Sequence, residues 1–267
     1  MGGEPPFGIY AGGGVKRWLF LWAVAAAPAL GARDAGYWDT KAGTDQQTYA
    51  SGRTGWYTSS VSAKRMSRRG DSLSLGVDRV TRFTQSDDAV VADTYVSVWP
   101  RAYTNLRLQS ARRVRILPKN DGFFELYQGF GHQWEASARV RHMSFVGDNV
   151  DLYSLSLAKY YNEWYGQSRV TWVPSRDGVG VSREFVIRRY GGNEDEFVQL
   201  TLGRTSHSAV GAFTPGATGD QSTYAHARLQ VLARDWIGLS GTLMLEDEIH
   251  LPPRKGFSLQ VFLRYND

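Results

Sequence analysis

The chain has 267 residues, of which 42% are hydrophobic, 13% aromatic and only 21% charged, and its net charge is +5. It contains no cysteine, which excludes a disulfide scaffold, a thiolate zinc site and a cysteine nucleophile. Its 31 basic residues are mostly arginine, but no run of them forms a recognisable nucleic-acid-binding module, so no nucleic-acid partner is predicted.

A short apolar segment near the start predicts export from the cytoplasm. The basic pair Lys16-Arg17 precedes WLFLWAVAAAPAL at 18–30, and small residues follow at the exit. This pattern is typical of a secretory signal peptide, here over residues 1–31, and the alternative is a buried core helix. The apolar stretch is too short for a membrane-spanning helix, which needs about 20 residues. Residues 1–14 are unlike the start of a signal peptide, and one hypothesis is that translation begins after them.

The remainder of the chain alternates apolar and polar residues, with Gly, Asp, Asn and Pro between the alternating segments. We expect a short periplasmic segment at 32–44 and then a domain of 12 to 14 strands at 45–267, with 14 preferred. The predicted strands are 45–51, 55–66, 71–83, 90–99, 102–111, 123–131, 134–145, 149–161, 163–174, 179–190, 196–208, 222–234, 236–248 and 256–265.

The connections between these strands favour a barrel over a sandwich or a propeller. Long connections at 112–122, 209–221 and 249–255 each follow an odd-numbered strand, whereas others are as short as Asn162 or Asp235. Long loops at one end and short turns at the other, with an even number of strands, are typical of outer-membrane barrels. The predicted fold class is therefore all-β, a transmembrane antiparallel up-and-down barrel in the outer membrane of a Gram-negative cell.

The two faces of the predicted strands differ in the way that such a barrel requires. In WEASARVRHMSF at 134–145, one face is apolar and the other carries a glutamate and two arginines. We expect the apolar face to contact outer-membrane lipids and the polar face to line the lumen. Strand 179–190 is an exception, because Arg183 and Arg189 interrupt its apolar face. We expect both arginines to lie near the membrane interfaces, where long side chains reach the headgroups.

A large set of charged side chains is predicted to face the lumen, together with Tyr160, Tyr165 and Tyr190. In this set arginine outnumbers carboxylate eight to five. Two interpretations stay open: a network of ion pairs that fills a small lumen, or a cleft for anionic or saccharide ligands, which Arg and aromatic side chains suit. The charged set is Asp78, Arg82, Arg107, Glu125, Glu135, Arg139, Arg141, Arg169, Glu184, Arg188, Arg228, Glu246 and Arg264. The candidate ligand residues are Glu135, Arg139, Arg141, Arg169, Arg188, Tyr190, Arg228, His226, Glu246 and Arg107.

Catalytic and metal-binding patterns are weak. Of the 5 histidines, His132 and His250 lie in predicted turns or loops, and neither has a second ligand at metal-binding spacing. In Ser206-His207-Ser208 the hydroxyls and the imidazole point to opposite faces of a strand and cannot pair directly. His226 faces the predicted lumen, where a hydrogen-bonded wall residue is the simpler interpretation. We therefore predict no enzyme activity, no catalytic residue, no metal and no cofactor.

Several segments of the chain resemble the YaiO-type outer-membrane β-barrel proteins. The resemblance is carried by EASARVRHMSF (135–145), NVDLYSLSLAKYYNEWYGQSRVTWVP (149–174) and SREFVIRRY (182–190), with weaker similarity in WYTSSVSAKR (56–65) and VTRF (80–83). It implies an outer-membrane barrel of poorly defined activity and a link to surface polysaccharide. The chain departs from the family pattern where Gly191-Gly192 follows RRY in place of an aromatic residue.

The C-terminal strand resembles the signal that the barrel-assembly machinery recognises. In RKGFSLQV at 254–261, the polar Arg254 is followed by Gly256 and then by the apolar Leu259 and Val261, with other residues between them. The region 254–265 is the predicted contact with that machinery. The chain ends Tyr265-Asn266-Asp267, without the usual terminal aromatic residue.

The function expected from the sequence is passage or binding of a polar, anionic or saccharide molecule. The family resemblance adds to this a link to exopolysaccharide export. One alternative is a lumen-plugged structural or adhesion barrel that acts through its extracellular loops. A second alternative is an outer-membrane enzyme that acts on lipid or glycan.

Overall fold

The computed structural model describes residues 36–49, 55–82, 84–175, 178–193, 195–205, 221–248 and 252–266. The predicted signal peptide and residues 1–14 lie outside these ranges. Within them, no helix has the length and apolar character needed to cross a membrane.

The described chain forms 14 strands. They are β1 (Tyr37–Tyr49), β2 (Trp56–Met66), β3 (Ser72–Arg82), β4 (Gln85–Trp99), β5 (Ala102–Ala111), β6 (Asn120–Phe130), β7 (Trp134–Ser144), β8 (Asn149–Tyr161), β9 (Trp164–Ser175), β10 (Gly178–Tyr190), β11 (Phe197–Thr205), β12 (Ser222–Arg234), β13 (Ile237–Glu248) and β14 (Arg254–Asn266).

The strands close into one antiparallel barrel. Each strand pairs with its neighbours in the chain, and β1 pairs with β14 to complete the sheet. Closure leaves no strand edge unpaired, which is what the interior of a bilayer requires of a sheet. The predicted fold class and the preferred strand number are thus confirmed.

The first strand begins earlier than the sequence suggested. β1 starts at Tyr37, and its register with β14 runs from the pair Tyr37–Asn266 to the pair Tyr49–Arg254. Residues 37–44, which were expected to be periplasmic, therefore belong to the barrel. The alternation of β1 is weak because its outward face carries Thr40, Thr44 and other small or polar residues in place of large apolar ones.

The outward face carries aromatic side chains at the end of the barrel that has the short turns. Trp99 and Trp164 are 51% and 45% exposed, and each lies at a strand end. Aromatic residues of this kind form girdles at membrane–water interfaces. We place this end at the periplasm, since outer-membrane barrels have short periplasmic turns and longer external loops.

Two outward arginines close to the ends of the barrel are paired with carboxylates across strands. Arg189 lies 3.5 Å from Glu163 beside Trp164, which places it at the periplasmic interface. At the opposite end, Arg79 approaches Asp88 at 4.0 Å.

Candidate functional site in the barrel lumen

The strand registers place all 13 of the charged residues predicted to face inward on the lumenal face. The same face carries both carboxylates and cations that were not predicted, and three of these carboxylates, Asp39, Asp87 and Asp121, lie at positions that the sequence did not assign to strands. The lumenal charge is therefore more nearly balanced than the predicted excess of arginine suggested. The additional residues are Asp39, Asp45, Asp87, Asp93, Asp121, Lys41, Lys64 and Arg254.

One cluster is built around Glu125, whose side chain is almost completely buried in the wall of the lumen. Its Oε1 accepts hydrogen bonds from Ser137 Oγ at 2.6 Å and from Arg169 Nη2 at 2.8 Å. Arg139 lies 3.5 Å from Oε2 and stacks on the ring of Phe123 at 3.8 Å. Glu125 thus holds two of the candidate arginines in fixed positions.

Three other candidates lie near this cluster in the same wall. Arg141 makes two hydrogen bonds to Asp121, at 2.9 and 2.6 Å. Glu135 accepts a hydrogen bond from the hydroxyl of Tyr103 at 3.0 Å. Arg107 lies directly across from Asp93 on β4. These contacts fit the interpretation of the lumen as an ion-pair network.

A second cluster differs because neutral groups hold its arginines. Arg188, Gln199 and Arg228 are consecutive partners in one row across β10, β11 and β12. Arg188 donates to Gln199 Oε1 from Nε and Nη2, at 2.9 and 2.6 Å, and to the Tyr190 hydroxyl at 3.0 Å. Arg228 donates to Ser240 Oγ and to Gln230 Oε1, at 3.0 Å each. Within the described residues, neither guanidinium lies within salt-bridge distance of a carboxylate.

Aromatic rings surround these two arginines. The Arg188 guanidinium lies 4.4 Å from the Phe197 ring centre and 5.5 Å from that of Tyr190, and Arg228 lies 5.4 Å from Phe197. Tyr165, at 5.7 Å from Arg188, contacts Tyr160 at a centroid distance of 4.8 Å. This group of arginines and rings on β8 to β12 is called the arginine–aromatic row below.

A second aromatic group occupies the adjoining part of the lumenal wall. Tyr103 and Tyr127 stack at 4.5 Å with an interplanar angle of 8°, and Tyr95 lies 6.3 Å from Tyr103. The hydrogen bond from Tyr103 to Glu135 links this group to β7. Flat tyrosine faces and fixed hydroxyls are groups that suit saccharide surfaces.

His226 and Glu246 line a cavity of about 170 Å³ in the half of the barrel with the long loops. Glu246 is paired with Arg254, and the Trp56 ring lies between the guanidiniums of Arg82 and Arg254, at 3.9 and 4.0 Å. Within the described residues, His226 has a ring contact to Tyr224 at 5.1 Å but no hydrogen bond to a hydroxyl or carboxylate.

Two connections fold over the lumen, and the sequence analysis missed both. The carboxylate of Asp87 is fully buried, and its Oδ2 accepts the backbone N–H groups of residues 115–117 at 2.8, 2.6 and 2.9 Å. At the opposite end, Arg264 binds Asp195 of the β10–β11 turn at 2.6 Å and Asp39 of β1 at 2.9 Å. A carboxylate bound to a distant loop leaves no periodic signal in a sequence.

The described residues contain no group of three or more His, Asp or Glu side chains that could hold a metal ion. The chemistry of the lumen is instead that of hydrogen-bond donors, ion pairs and aromatic faces.

The sequence of residues 39–207 matches the YaiO membrane β-barrel domain, which covers more than half of the chain. The chain belongs to the YaiO family. The match begins within β1 and ends two residues after β11, so the three remaining strands of this YaiO barrel lie outside the matched range. None of the curated proteins matches the chain in sequence.

Solved structures with the same architecture are outer-membrane proteins. Omp33 of Acinetobacter baumannii superposes with a TM-score of 0.54 at 6% identity, over 87% of this chain and 100% of that chain. OpdO of Pseudomonas aeruginosa gives 0.50 at 6%, over 87% and 97%. A bacterial polysaccharide outer membrane secretin gives 0.50 at 7%, over 85% and 98%. At these identities the similarity shows the fold, and this YaiO protein is an outer-membrane barrel that resembles porins and channels.

Proposed function

We propose that the barrel is a conduit that binds polar, anionic molecules in its lumen, and that its ligands are saccharides bearing carboxylate or phosphate groups. The observation that carries this proposal is the arginine–aromatic row. Its two guanidiniums are held by Gln199, Gln230, Ser240 and Tyr190, all neutral, so their charge is available to a ligand.

The chemistry of the row suits an acidic sugar. Arg guanidiniums bind carboxylates and phosphates through paired hydrogen bonds, and such charge-assisted bonds are about twice as strong as neutral ones. The rings of Tyr165, Tyr190 and Phe197 flank Arg188 and add apolar faces against which a pyranose ring can pack. Arg139, Arg141 and Arg169 are bound to carboxylates and contribute less to such a site.

A role in exopolysaccharide export is the finer part of the proposal. It is supported by the family resemblance and by the shared fold of the polysaccharide outer membrane secretin. The export partner would deliver an acidic polymer to the periplasmic end, near which the arginine–aromatic row lies.

Conductance in planar bilayers tests the conduit. We expect ion-permeable openings that prefer anions, and a shift of the reversal potential toward cation preference in an Arg188→Ala/Arg228→Ala variant. Arg189→Ala is the matched control, because Arg189 is the next residue in the chain and faces outward. Absence of openings in the wild type and in an Arg139→Ala/Arg141→Ala variant would rule out the conduit.

Blocking experiments in the same bilayers test the ligand class. Oligogalacturonate should interrupt the current, and the double variant should shorten each interruption about tenfold, equivalent to ~1.4 kcal/mol of binding free energy. Neutral maltohexaose should interrupt the current less. Equal blocking by both oligosaccharides would contradict an acidic-saccharide ligand.

The Glu125 cluster and the loop held by Asp87 favour the second candidate, a plugged barrel that acts through its external loops. The conductance experiment separates the two, since a plugged barrel conducts in neither the wild type nor the variants. The enzyme alternative requires a His226-dependent change in outer-membrane lipid or glycan. Identical lipid and glycan profiles of cells carrying wild-type and His226→Ala protein would remove it.

A further inference from the structure

Two arginines face each other on the outer wall of the barrel. Arg183 of β10 and Arg204 of β11 are direct cross-strand partners, and both side chains are exposed on the lipid-facing side. Like charges placed directly opposite each other destabilise a sheet. An arginine in contact with lipid is also costly unless its charge is satisfied.

Three other outward cations of the barrel are compensated within the protein. Arg79 faces Asp88, Arg189 faces Glu163, and the Lys159 ammonium lies 4.8 Å from the Trp134 ring. Within the described residues, Arg183 has no such partner, and Arg204 binds only the neutral side chain of Gln221. The pair therefore presents two positive charges toward the membrane.

An apolar surface continues directly from this pair. It consists of successive cross-strand neighbours from β10 to β13, and Lys255 of β14 is the next partner in the row. The surface and the two arginines line a shallow outer groove of about 860 Å³. One outward carboxylate, Asp247 of β13, also lines the groove, in the same cross-strand row as Arg204 and two strands away from it. The apolar neighbours are Phe185, Leu202, Ala225 and Leu245.

The groove lies at the level of the outer leaflet. Arg204 is the residue before the last of β11, and Lys255 is the second residue of β14, so both lie at the ends next to the long loops. The tryptophans of the periplasmic girdle lie at the opposite strand ends. The cations are thus near headgroups, and the apolar floor extends toward the bilayer centre.

We propose that this groove binds a phosphorylated, multiply acylated glycolipid of the outer leaflet, of the lipid A class. A sugar phosphate with a charge near −2 matches the two facing guanidiniums, each of which can donate paired hydrogen bonds. The acyl chains pack on the row from Phe185 to Leu245. Bound phosphate converts the repulsion between Arg183 and Arg204 into a bridged contact. This inference is independent of the lumen and of its ligands.

Binding of lipid A to the purified, folded barrel in detergent tests the proposal, with native mass spectrometry as the readout. We expect the wild type to retain bis-phosphorylated lipid A, and an Arg183→Ala/Arg204→Ala variant to bind it at least tenfold more weakly. Arg79→Ala is the control, since that outward arginine already faces a carboxylate. Unchanged binding in the double variant would overturn the proposal.

A second variant separates loss of the phosphate site from loss of folding. Arg183→Glu places an opposite charge across from Arg204, which favours the sheet but removes the phosphate site. This variant should unfold at no lower urea concentration than the wild type and yet bind lipid A at least tenfold more weakly. Retained binding would again overturn the proposal.

Binding of other lipids and of phosphate shows which chemical class of ligand the groove prefers. Dephosphorylated lipid A and phosphatidylglycerol should each bind at least tenfold more weakly than bis-phosphorylated lipid A. Equal binding of phosphatidylglycerol would mean a general anionic-lipid surface, and full competition by inorganic phosphate would mean a simple anion site. Either result would overturn the glycolipid assignment.

Discussion

Two glycines allow aromatic rings to lie flat against the lumenal wall. A Cβ at Gly238 would overlap the ring of Phe262, and a Cβ at Gly203 would overlap the ring of Tyr224. Tyr224 crosses Gly203 to donate its hydroxyl to Glu184 on the next strand, at 2.9 Å. Each glycine thus lets a ring bridge neighbouring strands.

Replacing Gly238 should therefore destabilise the barrel. We expect Gly238→Ala to displace the Phe262 ring and to lower the free energy of unfolding by ~1–3 kcal/mol, the usual cost of overpacking a tight site. Urea unfolding of the barrel in lipid vesicles measures this change. Gly241→Ala in the same strand is the control, since the nearest atom to its Cβ would be the Ser258 carbonyl oxygen at 3.9 Å. An equal effect of both substitutions would contradict a specific role of the ring.

The buried carboxylate of Glu125 should matter more for stability than any exposed charge. Glu125→Ala leaves Arg139 and Arg169 in a partly buried site without their counter-charge, and breaking such a buried ion pair costs about 3–5 kcal/mol. The expected result is a correspondingly lower urea midpoint. The exposed Glu163, paired with Arg189 on the outer wall, provides the comparison, and Glu163→Ala should change stability by less than ~1 kcal/mol. Similar midpoints for the two variants would refute the structural role of Glu125.

At the scale of elements, the middle of the loop between β5 and β6 is anchored by one carboxylate. Three consecutive backbone N–H groups converge on Asp87, which fixes residues 115–117 against the lumenal side of β4. Without this acceptor the loop has three unpaired donors and should move out into solvent.

Limited proteolysis can detect that release. We expect Asp87→Ala to speed trypsin cleavage after Arg113 or Arg115 in the folded barrel, and to raise conductance if the loop narrows the lumen. Asp88→Ala is the matched control, because Asp88 is the next residue and faces Arg79 on the outer wall. Equal cleavage rates for the wild type and both variants would show that Asp87 does not hold the loop.

The strands were predictable from the sequence where their two faces differ strongly. β7 and β14 have one apolar face and one polar face, and their predicted bounds differ from the observed ones by at most two residues. β1 was placed late because small and polar residues occupy its lipid-facing positions. Its register depends on β14 and β2, which supply all of its hydrogen-bonded neighbours.

For the candidate site, the sequence predicted which side chains face the lumen but not which groups they contact. Alternation alone places Arg139, Arg169, Arg188 and Arg228 in the lumen. It cannot show that Glu125 binds the first two, or that the neutral side chains of Gln199 and Ser240 hold the others, because these partners lie on different strands. The sandwich of Trp56 between two arginines was missed for the same reason.

At the scale of the whole molecule, the barrel has a defined direction in the membrane. The short turns and the girdle tryptophans define the periplasmic end, and residues 112–119 lie in one of the connections at the opposite end. The natural chain has no cysteine, so a maleimide can label the protein only at a cysteine introduced by substitution.

Thiol labelling of whole cells tests this orientation. A membrane-impermeant maleimide should label Arg113→Cys in intact cells, and should label His132→Cys in the β6–β7 turn only after the outer membrane is permeabilised. The reverse pattern would mean that the barrel is inserted in the opposite direction.

The contact of Arg264 with Asp39 joins side chains 225 positions apart, on the last and first strands of the barrel. It can form only when the two open edges meet, so it is absent from every partly assembled intermediate. An open edge would accept any strand through backbone hydrogen bonds alone. The guanidinium adds a requirement for a carboxylate at one register position, and so favours the chain's own first strand over a foreign one. The contact between Arg264 and Asp39 thereby helps to select the correct partner strand at the moment when β1 and β14 close the barrel.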